Sequence, residues 1–284
     1  MDKKVFDRHR RKFLKQSALG LGSLSFAGAS ANSLDEDCET IEKTVTIPNL
    51  PEQLKGFTIG MISDIHSSVF MNKNDMDEYV KAMNALETDL IVVTGDFVNS
   101  RTEEVYPFAE AFSELHAPFG VFGCLGNHDY FADDVERVAR EVNDCGVKLL
   151  RNDSVTIQKE DALFNLIGVD DIGRGTDPND YMDRALTSVK NEYPRILLCH
   201  KPYFFENAKE RKIDLTLSGH THGGQIVFGM VGNTPISFAT LASKYVAGLY
   251  HLDNAQLYVN RGIGSVGLPL RINCPPEITK ITLA

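Results

Sequence analysis

Five short pieces between residues 64 and 222 carry residue types that hold metal ions. They are Asp64-Ile65-His66, Gly95-Asp96, Gly126-Asn127-His128-Asp129, Cys199-His200 and Gly219-His220-Thr221-His222. Asp64 and His66 stand two apart, just past an apolar run. In an extended chain such residues point the same way, so one oxygen and one nitrogen could reach one ion. His220 and His222 repeat that spacing, and Gly219 and Gly223-Gly224 permit an unusual backbone around them. Asp96 could bridge two ions through its two carboxylate oxygens, Asn127 offers an amide oxygen, and His200 an imidazole. Two Asp, one Asn and four His are too many for one tetrahedral zinc site. They suit two divalent ions about 3.5–4 Å apart that share a carboxylate. Oxygen and nitrogen donors without thiolate favour Mn²⁺, with Zn²⁺, Fe or Co²⁺ as alternatives, over Ca²⁺. Water shared by two such ions becomes a nucleophile near neutral pH, and the ions offset charge on a phosphoryl group under in-line attack. Singly the pieces are weak, since Gly-Asp is a common turn and a lone His is more often structural; their joint order carries the reading. His116 and His251 lie in no such piece and read as structural.

The elements that must position these residues are legible as apolar runs. Runs at 57–62, 89–93, 120–125, 196–199 and 214–217 read as buried strands, each ending at one of the five pieces. Helices are expected at 75–86, 103–115, 133–145 and 179–190. In the third of these, Val135, Val138, Ala139 and Val142 recur at spacings of three and four, marking one buried face. Further strands are expected at 147–150, 155–158, 164–169, 225–228, 245–251, 256–260 and 278–283. The pattern implies an α/β fold of two packed sheets with helices outside, its polar chemistry on loops at strand C-terminal ends.

At 284 residues the chain allows one large domain or two small ones. A net charge of −10 argues against a broad nucleic-acid-binding face. It leaves an anionic substrate open, because bound metal ions can be the largest local charges in a site. Five cysteines form no CxxC pair, and Cys124 and Cys199 read as small buried apolar residues. The N-terminus is basic and contains Arg10-Arg11-Lys12-Phe13-Leu14-Lys15, followed by an apolar run from Ser17 to Ala31. That run is shorter than the roughly 20 residues of a membrane span, and Ala29-Ser30-Ala31 fits a cleavage site. The expectation is a twin-arginine signal at 1–31, a polar linker at 32–43 and one domain at 44–284. It implies the twin-arginine export machinery as a partner and the periplasm or cell envelope as destination, membrane-anchored where the leader is retained.

Taken in order, D-x-H, GD, GNHD, a lone His and GHxH resemble the calcineurin-like metallophosphoesterases across essentially all of the chain past the leader. The resemblance implies a four-layer αββα sandwich of two mixed β-sheets flanked by helices, with a dimetal site at strand C-terminal ends. It implies that Asp64, His66, Asp96 and His222 hold one ion, and that Asp96, Asn127, His200 and His220 hold the other. His128 resembles the family's non-ligand histidine, which contacts the phosphoryl group and can protonate the leaving oxygen. Many relatives have an Asp three residues after the bridging Asp, where this chain has Asn99, an amide that cannot stabilise an imidazolium. Asp129 could be structural, with Asp170 or Asp171 supplying the missing charge. The stretch from Asn260-Arg261-Gly262-Ile263-Gly264 to Cys274-Pro275-Pro276-Glu277-Ile278 resembles an exported bacterial branch that includes a UDP-2,3-diacylglucosamine hydrolase.

Three functions compete at this level. The first is a dimetal hydrolase of phosphomonoesters or phosphodiesters outside the cytoplasm. The second is a membrane-associated pyrophosphohydrolase of a lipid-linked or nucleotide-sugar substrate, with the apolar loop 264–270 facing acyl chains. The third is a non-catalytic metal- or phosphate-binding module, favoured only by Asn99. Lys201, Arg174, Arg261 and Arg271 are candidates to meet phosphate oxygens, Arg261 foremost because Gly-rich sequence follows it. No Gly-x-Ser-x-Gly, P-loop or dinucleotide Gly motif is present.

Overall fold

The apolar runs form strands whose side chains alternate between two packed layers. The computed structural model describes residues 38–171, 177–190, 192–232 and 234–284; the leader expected at 1–31 and Arg174 lie outside these. In chain order the elements are β1 (Glu39–Val45), β2 (Thr58–Ile62), α1 (Lys73–Asn84), β3 (Leu90–Thr94), α2 (Val105–Phe112), β4 (Val121–Cys124), α3 (Val135–Asp144) and β5 (Val147–Leu149). Then come β6 (Asp153–Lys159), β7 (Ala162–Gly168), α4 (Pro178–Ala185), β8 (Arg195–Leu198), α5 (Phe205–Glu210) and β9 (Leu215–Ser218). The last are β10 (Val227–Val231), β11 (Thr234–Ser237), α6 (Ala239–Ala242), β12 (Gly248–Leu252), β13 (Ala255–Val259) and β14 (Glu277–Leu283).

One six-stranded sheet runs β1-β14-β2-β3-β4-β5 and the other β12-β13-β9-β8-β7-β6, while β10 and β11 pair as a separate hairpin. Both large sheets are mixed: β2, β3, β4 and β5 are mutually parallel, as are β7, β8, β9 and β13, with β14, β6 and β12 antiparallel to their inner neighbours. Ile59, Met61, Leu90 and Val92 of the first sheet meet Leu166, Ile196, Leu198 and Leu217 of the second in one core between the sheets. On the other face of the first sheet, Ile62, Ile91 and Val93 pack against Met76, Val80, Phe108 and Val138 of α1–α3. Ile167, Leu197 and Cys199 likewise cover Met182 and Ala208 beyond the second sheet. This is the four-layer αββα sandwich. Strands covered on both faces read as unbroken apolar runs, which is why the sequence exposed them.

The differences from expectation lie at edges. The linker expected at 32–43 runs into β1, an edge strand parallel to β14; its Glu39, Glu42 and Lys43 are solvent-facing and hid the strand signal. The helix expected over 103–115 opens with a tight 3₁₀ turn at Thr102–Glu104, and α4 ends at Ala185. The elements α5, β11 and α6 had no sequence signal. The helix α1 starts where Asn72 and Asp75 cap each other's backbone N–H groups.

Candidate metal centre

The five pieces meet at the C-terminal ends of β2, β3 and β4 in one sheet and of β8 and β9 in the other. Their backbone is not the extended chain that the i, i+2 spacing suggested. Asp64, His66, Asp96, His220 and His222 all have φ between 48° and 74°, a left-handed region uncommon for residues other than glycine. Such positions cost roughly 1–3 kcal/mol each and persist where their surroundings fix them. Here Asp64 N–H donates to the Gly95 carbonyl (3.1 Å), His66 N–H to the Asp96 carbonyl (3.0 Å), and Gly264 N–H to the Asp64 carbonyl (2.7 Å). The His220 N–H reaches both oxygens of Asp64 at 2.9 and 3.0 Å. Gly219 is required by contact: a Cβ there would fall 2.2 Å from Asp64 Oδ2.

The side chains converge as two clusters joined by one oxygen. His66 Nε2 lies 3.1 Å from His222 Nε2, which lies 3.5 Å from Asp64 Oδ1. Asp96 Oδ2 faces His66 Nε2 at 3.4 Å on one side and His200 Nε2 at 3.2 Å on the other. His220 completes the second group with Asp96 and His200. Only Oδ2 of Asp96 is turned to both clusters; Oδ1 accepts the His128 N–H at 2.8 Å, so the expected use of both oxygens gives way to one. His200 Nδ1 donates to the Thr94 carbonyl at 2.7 Å, which directs Nε2 inward.

This donor set fits cations. Asn127 Oδ1 is buried with no hydrogen-bond partner among the described residues, a state that buried polar atoms ordinarily avoid. Burial, first of all, lowers His66 and His220 to about 3 and His222 well below its usual value, so these imidazoles are neutral, as ligation demands. Burial would raise Asp96, but the histidines around it, His200 first, hold it low and ionised. Burial would lower His200, but Asp96 overrides this and lifts it to about 10. Burial pushes Asp64 up to about 6.

Two neighbours of the clusters have clear tasks. Asp129 accepts the N–H groups of Asp96, Phe97, Val98 and Gly126 at 2.8–3.2 Å. It ties the loop after β3 to the loop after β4, the structural part considered for it. Burial and the Asp96 charge push it toward about 8, yet four donors and no acceptor favour the carboxylate. His128 packs edge-on against His66, with ring centroids 4.5 Å apart. Its Nδ1 faces the backbone carbonyl of Asn99 at 2.5 Å. Neither acid considered as a substitute partner is engaged there: Asp170 pairs with Arg151 at 3.0 Å and Asp171 with Lys201 at 2.8 Å.

Sequence reasoning missed what holds that carbonyl. Glu104 Oε2 accepts the N–H groups of Asn99, Ser100 and Arg101 at 3.0, 2.7 and 3.0 Å, and Ser67 Oγ donates to the Glu104 carbonyl at 2.6 Å. Neither residue belongs to a motif. The cation candidates are largely committed elsewhere. Arg261 spans Glu277 and Glu39 at 2.5 and 2.7 Å, against its expected place as foremost phosphate contact. Arg271 is buried and donates to the Gly264, Arg261 and Gly262 carbonyls, gathering the C-terminal loop behind His222.

Residues 57–224 match the family model described as Calcineurin-like phosphoesterase. The chain is 33% identical over 284 residues to the uncharacterized metallophosphoesterase YkuE of Bacillus subtilis strain 168, covering 96% of this chain and 97% of that protein. It is 28% identical over 278 residues to the phosphodiesterase YaeI of Escherichia coli K12, covering 96% and 98%. A transmembrane protein with metallophosphoesterase domain from Danio rerio is 30% identical over 260 residues, of which the chain spans only 57% of the length. Among solved structures, TT1561 of Thermus thermophilus matches with a TM-score of 0.50 at 15% identity, over 72% of this chain and 89% of that one, a likeness of fold.

Proposed function

The chain belongs to the calcineurin-like phosphoesterase family, and from that premise we propose that it hydrolyses phosphomonoesters or phosphodiesters outside the cytoplasm with two divalent ions. The observation that carries the reading is the single oxygen of Asp96 between His66 Nε2 and His200 Nε2, at 3.4 and 3.2 Å. Asp64, His66, Asp96 and His222 would hold one ion, and Asp96, Asn127, His200 and His220 the other. Two bound ions supply the charge that activates a water and neutralises a phosphoryl group. His128, oriented by the Asn99 carbonyl, stands at the rim to donate a hydrogen bond to the phosphoryl group or a proton to the leaving oxygen. The Asn99 backbone carbonyl, not its side chain, meets His128 Nδ1, and an acceptor held there supports a catalytic part for His128 over a non-catalytic module. The twin-arginine pattern of the leader supports export and, with it, a periplasmic or cell-envelope substrate. Purified protein with measured metal content, assayed with Mn²⁺, Zn²⁺, Fe²⁺ and Co²⁺ on p-nitrophenyl phosphate and its bis ester, tests this. No turnover in metal-loaded protein sinks it.

A lipid-linked pyrophosphate is the second reading. The loop 264–270 gives it little, since Leu270 is buried and only Leu268 is a large exposed apolar side chain there. The neighbouring β10–β11 hairpin favours it more.

A further inference from the structure

Six of the twelve large apolar side chains exposed among the described residues fall between Phe228 and Leu241. Met230 is 58%, Val231 69%, Phe238 69% and Leu241 86% exposed, and the Phe228 and Phe238 rings meet edge-on at 5.5 Å. From Gly223 to Ser243 the sequence has no charged residue and no histidine. Soluble surfaces seldom leave apolar side chains of this size grouped together, and such grouping marks an interaction face.

The place of this face narrows the partner. The hairpin leaves the fold directly after His222-Gly223-Gly224. Ser237 lies so close to Gly224 that a Cβ there would stand 2.3 Å from its Oγ. Gln225 Nε2 donates to the Val266 and Leu268 carbonyls at 3.0 Å each, tying Leu268 to the same rim. The N-terminal end of the described chain is on this edge too. Glu39 N–H donates to the Pro276 carbonyl at 2.8 Å, and Glu39 pairs with Arg261. Gly262, next to Arg261, lies against Asp64, where a Cβ would come within 2.6 Å of the Asp64 Cβ. The segment with its basic run and the apolar stretch from Ser17 to Ala31 therefore joins the fold on the edge that bears the metal clusters and the hairpin. A protein partner usually meets a polar, partly charged rim. Here Lys244, the first charge after the hairpin, is taken up by Glu206.

We propose that the β10–β11 hairpin with α6 is a membrane-docking surface that inserts its apolar side chains into a neutral lipid bilayer and turns the metal centre toward it. The inference rests on the extracytoplasmic phosphoesterase reading and extends it to substrates presented at a bilayer. An amphipathic element of this kind lies in the interface plane and does not span it. No described helix is long and apolar enough to cross a membrane. With no cation on the face, docking needs no anionic lipid and resists salt.

The chain has no Trp, so one introduced tryptophan reports one position. Full chain carrying Leu241→Trp is mixed with phosphatidylcholine vesicles, with and without brominated acyl chains, and compared with Asp161→Trp in the β6–β7 turn at the opposite end of the second sheet. Emission from position 241 is expected to shift to the blue and to be quenched by the brominated lipid, at low and high salt alike. Position 161 is expected to do neither. Sedimentation with vesicles while position 241 stays unquenched overturns the proposal, since the leader alone would then hold the protein. A blue shift that grows with protein concentration in the absence of vesicles also overturns it, in favour of a second copy of the chain. Metal-dependent turnover of the soluble bis ester is read on the same samples. Turnover without quenching sinks docking alone, and quenching without turnover sinks the esterase reading alone.

Discussion

The loops after β2, β3 and β4 and the hairpin after His222 lie side by side and are built on opposite terms. In the loops, Asp64, His66, Asp96 and Asp129 are buried, and one carboxylate, Asp129, collects four amide donors. In the hairpin, apolar side chains from Phe228 to Leu241 face outward and charge is absent. The contrast separates two demands. Two ions need donors fixed to within fractions of an ångström, whereas a surface that meets a deformable partner needs apolar area and little fixed geometry.

The most severe break should come from the shared oxygen. Asp96→Asn is expected to cut bis-ester turnover by more than about 100-fold, beyond the usual cost of losing an outer partner of a metal ligand, with bound metal per chain falling in parallel. Near-normal rate with two ions per chain would remove the bridge from the mechanism.

Acid should next distinguish the buried loops from the rest. Burial holds His66 and His220 near 3 when folded, against 6.5 for the free group. Between those values the unfolded chain takes up protons that the fold refuses. The contribution of these two histidines to the stability of chelator-treated protein is therefore full above about pH 6.5 and falls as pH drops toward 3, whereas His200, lifted to about 10, contributes fully below 6.5 and loses its part as pH rises toward 10. Asp64, raised to about 6, works the other way over part of this window, but the histidines, His222 among them, outnumber it. Urea midpoints taken across the window check this, and a flat profile would mean that the imidazoles are solvated.

A gentler change tests positioning. Glu104→Gln keeps the side chain's shape but weakens the acceptor of three amides that fixes the Asn99 carbonyl on His128. Turnover of esters with poor leaving groups should fall by about 10-fold, that of p-nitrophenyl esters less, with metal content unchanged. An equal loss on both substrate types would point to general loosening. The smallest effect belongs to the hairpin: Phe238→Ser should leave soluble-ester turnover within about twofold, as for an exposed position away from packed features. A large loss would show that the two regions are coupled.

The legibility of the molecule follows the same division. Strands such as β3 and β8, covered on both faces, announced themselves as apolar runs, and the polar residues at their ends were found with them. The edge strand β1 was not, because alternation with Glu and Lys resembles a linker. Left-handed backbone at Asp64 and His66 leaves no mark in residue type, so the sequence set the two side chains near each other through the wrong local geometry. Glu104 and the Asn99 carbonyl escaped for a related reason: a backbone group doing a side chain's work has no letter of its own.

The candidate donors come from both sheets, with Asp64, His66, Asp96 and Asn127 on one and His200, His220 and His222 on the other. Among the described residues no strand ladder joins the two sheets, which meet through apolar contacts and, at the site, through hydrogen bonds such as His200 Nδ1 to the Thr94 carbonyl and His220 N–H to Asp64. A bound metal pair would act as a rivet across that seam. By mass action an ion at 100 times its Kd adds about 2.7 kcal/mol of stability, and here that gain would resist sliding of one sheet over the other. Amide exchange should then slow at β8 and β9 as well as at β2 and β3, although no strand ladder joins their layers among the described residues.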